Sequence, residues 1–144
     1  MFFMFNRFSL FVVGLSSSLL CVVATSAAPR AAAEDPRTIV DRVYSVAQAE
    51  RGEALFKKSC SSCHTPSEFG GGSFAERWDG QTMAEAFEFV SNAMPENDPG
   101  GLKKEEYADV LAYILRINAY PAGYDELPTD PVALKKLGIA PNGK

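Results

Sequence analysis

Cys60-Ser61-Ser62-Cys63-His64 decides how the rest of this chain is read. Two thiols three positions apart, with an imidazole directly after the second, form the pattern of covalent haem attachment. The spacing has a chemical reason. Each sulfur adds across one of two vinyl groups on the same side of a porphyrin, so the thiols must stand about one helical turn apart. The next residue is then carried under the ring, where a nitrogen takes one axial position on the iron. Cys60 and Cys63 are thus the expected thioether anchors, and His64 the expected first iron ligand.

Other uses of the pentapeptide fit less well. A structural zinc site needs four ligands, and the chain has only three cysteines and one histidine. A redox-active dithiol pair belongs between a strand and a helix, whereas Ala54-Leu55-Phe56-Lys57-Lys58-Ser59 reads as the end of a helix. A disulfide closing so short a loop would stabilise little.

The 144 residues allow one domain, and their start is expected to lie outside it. Arg7, an apolar run from Phe8 to Ala24 and the small residues Thr25-Ser26-Ala27-Ala28 predict a secretory signal over residues 1–27. Cleavage is expected after Ala27 or a few residues later. Ser16-Ser17-Ser18 argues against an uncleaved membrane anchor, so membrane contact is expected only if the signal is retained. Lipidation at Cys21 is disfavoured by Ser18-Leu19-Leu20 before it. Export to the periplasm agrees with the chemistry, because bacteria attach haem covalently outside the cytoplasm.

The formal charge is −4, and loss of Arg7 with the signal leaves −5. Nothing in that balance points to nucleic acid. A solvated acidic surface accounts for it, and a docking face for a partner of complementary charge is the functional alternative.

Residues 28–43 read as a flexible lead-in, and 44–144 as the domain, with a C-terminal extension from about 119. Ser45-Val46-Ala47-Gln48 predicts a capping box opening the first helix. Gly52 within that helix costs roughly 1 kcal/mol against alanine, unless another helix crosses closely there. Thr65 to Ser73 reads as an irregular loop containing Gly70-Gly71-Gly72. Thr82-Met83-Ala84-Glu85 is a second capping box, and its helix should end near Met94-Pro95. The last main helix is expected over Lys104 to Asn118, with a stripe of Tyr107, Val110, Leu111 and Ile114. Lys103 stands where serine, threonine or aspartate would cap it better. A short tail helix has Asp130 as its N-cap and Gly138 as its expected terminator, with Leu134, Leu137 and Ile139 pinning it to the domain. No strand is expected.

A single histidine excludes bis-histidine ligation. Beyond the signal, Met83 and Met94 are the thioethers available. Met83 sits on the apolar face of a helix start, where methionine is usually packing. Met94 ends a helix 30 residues after His64, far enough for the chain to pass round a ring edge, and it is the expected second ligand. Trp78 has two readings, a donor to a haem propionate or an ordinary core residue, and the sequence leaves both open. Two axial protein ligands leave no open site on the iron, so electron transfer without bond chemistry is expected.

These residues carry a resemblance. The stretch from Gln48-Ala49-Glu50-Arg51-Gly52 through Cys60–His64, Trp78-Asp79-Gly80, Met94-Pro95 and Pro99-Gly100-Gly101 to Glu106–Val110 and Ala112–Asn118 resembles a class I, monohaem cytochrome c. It is more narrowly similar to the cytochrome c domains and subunits associated with pyrroloquinoline-quinone-dependent alcohol dehydrogenases. The similarity runs from about Tyr44 to the C-terminus, including Tyr120-Pro121-Ala122-Gly123. It implies a small all-α fold with crossing N- and C-terminal helices, Gly52 and Phe56 meeting Val110 and Tyr113. It also implies one haem c, and redox partners: a dehydrogenase as donor, an oxidase or another cytochrome as acceptor. An electron-transfer protein is implied rather than an enzyme, either free or as a dedicated subunit of a dehydrogenase complex. A five-coordinate haem sensor or enzyme would require Met94 not to bind. One departure stands out. The proline expected in the loop after the haem histidine is absent, Pro66 being too close, so the partner orienting His64 stays open.

Overall fold

The architecture follows from two helices that meet at a glycine. In the computed structural model, which describes residues 36–142, α1 (Val46–Ser59) crosses α4 (Lys104–Ile117) at Gly52. A Cβ on Gly52 would overlap the backbone carbonyl of Asp109 and press on the Tyr113 side chain. The glycine therefore permits backbone-to-backbone approach, and its cost in helix propensity is offset by the packing it allows. Around it, Arg51 forms a two-pronged hydrogen bond to the buried Asp109 carboxylate at 2.9 and 2.8 Å. Phe56 packs on Tyr113 with ring centroids 5.4 Å apart. Buried residues of α4 include the whole expected stripe of Tyr107, Val110, Leu111 and Ile114.

Between the crossing helices lie a 3-10 turn (Pro66–Phe69), α2 (Gly72–Trp78) and α3 (Met83–Ala93). The expected irregular loop over 65–73 is thus partly helical. Its signal is weak because α2 opens on Gly71-Gly72, without a capping hydroxyl. Gly71 adopts φ +60°, and its N–H is satisfied from far along the chain, donating to Asn118 Oδ1 at 2.8 Å. The capping box at Thr82 and Glu85 is present, and α3 ends on Met94 as expected. Asn118 caps the end of α4.

Ser45 caps α1, its hydroxyl accepting from the Gln48 N–H at 3.1 Å, but the box is incomplete. The Gln48 amide does not return to Ser45. It is buried, and it pairs with both backbone groups of Leu127, Nε2 donating at 3.1 Å and Oε1 accepting at 2.7 Å. A buried amide paired on both sides satisfies its own desolvation while tying down the tail.

Two further expectations are corrected. Residues 37–43 are not a flexible lead-in: β1 (Arg37–Thr38) pairs in parallel with β2 (Leu137–Gly138), and Ile39 and Val43 are buried. Strands of two residues joining segments 100 positions apart carry no alternating pattern, which is why none was expected. Gly138 consequently does not terminate the tail helix. α5 (Pro131–Lys135) is capped by Asp130 as expected but ends at Lys136, and Gly138 faces Thr38 in the ladder. Leu134, Leu137 and Ile139 are buried, as the tail's apolar spacing predicts. The expected signal over 1–27, Cys21 and the first part of the lead-in lie outside the described residues. No helix among the described residues is long and apolar enough to cross a membrane.

Candidate haem site

Cys60 caps the C-terminal end of α1, its N–H donating to the Phe56 carbonyl at 2.9 Å. The chain then continues in a tight turn, with the N–H groups of Cys63 and His64 both donating to the Cys60 carbonyl at 3.1 and 2.9 Å. This turn keeps both thiols and the imidazole on one short piece of backbone. Both cysteines are free thiols; Cys60 is half-buried and Cys63 exposed. Burial pushes the Cys60 thiol up from its ordinary range.

The second wall comes from the other side of the chain. Met94 stands at the end of α3 in extended conformation. Its backbone carbonyl accepts from the Tyr107 hydroxyl at 2.7 Å, and that ring is buried in the first turn of α4. Cys60, Cys63, His64 and Met94 line one cleft of about 450 Å³. Phe56, Phe69, Phe89, Val90, Val110 and Ile114 supply its apolar lining. The four residues expected to hold the cofactor are therefore brought together.

Met83 is buried; it is absent from that cleft's lining and lines the adjoining cavity instead. Trp78 is placed elsewhere. It lines an adjoining cavity of about 270 Å³ with Arg77 and Phe74, sharing only Phe69, Phe89, Val90 and Ile114 with the larger cleft. The Arg77 guanidinium lies 5.1 Å from the Trp78 ring and 4.5 Å from Phe89. Trp78 is thus near the crevice but apart from the residues of the Cys–His turn.

Two residues at the site were not foreseen. Glu68 Oε2 lies 3.1 Å from His64 Nδ1, four residues along the 3-10 turn. Its other oxygen accepts from the Thr65 N–H at 3.0 Å and the Thr65 hydroxyl at 2.9 Å. Thr65's backbone N–H first, then His64 and the Thr65 hydroxyl, hold the Glu68 carboxyl below the usual carboxylate range. The signal existed in Thr65-Pro66-Ser67-Glu68, a third capping-box pattern. Tyr107, read only as part of a stripe, is the second. A buried tyrosine hydroxyl needs a partner, but nothing in the sequence says that the partner is Met94.

The donor set suits one cofactor: two thiols for vinyl addition, a nitrogen and a thioether for iron, and an apolar slot for a flat ring. The mostly helical architecture, with α1 crossing α4, is consistent with a small all-α cytochrome c fold. Residues 47–114 match the family model described as "Cytochrome C oxidase, cbb3-type, subunit III". The match runs from α1 into α4 and includes the whole Cys–His turn, and it supports a class I c-type cytochrome whose covalently bound cofactor is haem c. No curated protein and no solved structure gave a significant match.

Proposed function

We propose that this chain is an exported, periplasmic one-electron carrier, with one haem held by Cys60 and Cys63 and ligated by His64 and Met94. The observation that carries the reading is the shared cleft: a nitrogen and a thioether, 30 residues apart in sequence, line the same slot as the two thiols. When bound, haem c with such ligands supplies a high-potential Fe(III)/Fe(II) couple. The chain's part is to position and to exclude. The turn after α1 presents the thiols, the aromatic and aliphatic lining keeps water from the ring faces, and Tyr107 steadies the backbone of Met94. Cys63, exposed at the rim, marks the edge at which a redox partner would approach. Trp78 and Arg77 border the adjoining cavity, where an indole N–H and a guanidinium would suit the propionates.

A dehydrogenase of the quinoprotein kind is the proposed donor, on the narrower resemblance of the sequence. A terminal oxidase or a further cytochrome is the proposed acceptor, and the matched family is itself named for an oxidase subunit. That name also favours a second reading, a dedicated subunit of one complex. Stable co-purification with a larger redox enzyme, and slow reaction with other partners, would select it over a free carrier.

The test is spectroscopic. Oxidised protein should show the weak far-red sulfur-to-iron band of methionine-ligated haem c, and the ferrous form should not bind carbon monoxide at neutral pH. Met94→Ala should lose the band and bind the gas. Ready binding by the unaltered protein would overturn the His64/Met94 assignment in favour of a five-coordinate haem.

A further inference from the structure

We infer that Glu68 is a positioning residue for His64 and sets the balance between the two iron oxidation states. The inference rests on His64 being an iron ligand. A carboxylate can only accept a hydrogen bond, so the 3.1 Å contact places the proton on Nδ1 and leaves Nε2 with the lone pair that iron requires. The contact is not a chance approach of two flexible chains. Glu68 is held by Thr65 through two bonds to Oε1, which turns Oε2 toward the ring. The Phe69 ring stands edge-on to the imidazole at 5.3 Å and limits its rotation from another side. The turn therefore builds in four residues the orienting partner that no proline in this loop supplies.

The electronic consequence has a definite sign. An imidazole that donates to a carboxylate is a more basic ligand, and the carboxylate adds negative charge near the metal. Both effects favour Fe(III) over Fe(II), so Glu68 lowers the reduction potential. A merely structural Glu68 would affect stability and leave the potential where it was.

The experiment compares holoprotein variants. Glu68→Gln is the main one, because glutamine at this capping position still serves the turn while the charge is lost. Glu76→Gln, an exposed acid on α2 outside the cleft lining, controls for loss of surface charge. Mass, Soret absorbance and the far-red band are recorded first for every protein. Glu68→Gln should shift the oxidised-to-reduced balance about tenfold toward Fe(II), a rise of about 59 mV for one electron. Thr65→Val, which removes one of the two Thr65 contacts, should move it the same way by less. A shift for Glu68→Gln no larger than for Glu76→Gln, with the far-red band intact, overturns the inference and leaves the ligand assignment standing. If Glu68→Gln fails to load haem, Thr65→Val decides, and an unchanged potential overturns the inference. Unaltered protein without haem by mass would instead remove the reading beneath it, and the inference with it.

Discussion

The two walls of the cleft are built on opposite plans. The histidine wall is local: Cys60, Cys63, His64, Thr65 and Glu68 lie within nine residues, and the backbone and carboxylate bonds that shape the turn join residues five positions apart or fewer. The methionine wall is remote. Met94 is set by a hydroxyl 13 residues later on a different helix. A local wall needs little help from the rest of the molecule to take its shape, whereas a remote one exists only once the helices have packed. The histidine wall is also hydrogen-bonded from outside. Asn118 at the end of α4 donates to the Phe69 carbonyl at 2.7 Å and accepts from the Gly71 N–H at 2.8 Å.

Substitutions can break this contrast at four levels. The largest effect is expected for Gly52→Ala, which forces a methyl group into the Asp109 backbone and separates the helices on which both walls depend. A loss of about 3 kcal/mol or more is expected, with a collapse in haem-loaded yield. An unchanged thermal midpoint would mean that α1 and α4 do not touch there. Asn118→Ala comes next. It removes the donor to Phe69 and Ile114 and the acceptor for Gly71, a cost of roughly 2 kcal/mol by thermal melting. Because the wall it supports is local, the far-red band should survive.

Tyr107→Phe should cost less, about 1 kcal/mol, but should weaken that band, since the Met94 carbonyl loses its partner. The crossed outcome, a band lost with Asn118→Ala and kept with Tyr107→Phe, would reverse the assignment of supports. The smallest effect is expected for Lys103→Asp. Lys103 has extended N-cap geometry without a side-chain bond, and its N–H already donates to Glu106 at 2.8 Å. An aspartate there should stabilise the holoprotein by about 0.5–1 kcal/mol. A lower melting midpoint would show that the start of α4 does not act as a cap.

The same contrast explains what could be read from the residues alone. The Cys60–His64 turn, the caps at Ser45, Thr82 and Asp130, and the α4 stripe are local patterns, and each appears where its spacing predicts. The place of Glu68 is legible too, for its capping pattern begins one residue after the histidine. The destination of Gln48 was not legible. A glutamine three residues after a serine suggests a capping box, and only the folded tail offers Leu127 as a competing partner. The β1–β2 pairing and the Gly71–Asn118 bond likewise join segments whose proximity is a product of folding.

α4 holds one wall at each end, Tyr107 in its first turn and Asn118 at its cap. The 11 residues from one to the other span about 16 Å at 1.5 Å per residue. That helix is a ruler, and the width of the slot is graduated in helical rise. A residue inserted between its two marks would turn one support by about 100° relative to the other, so that Asn118 could not meet Phe69 and Gly71 while Tyr107 still reached Met94.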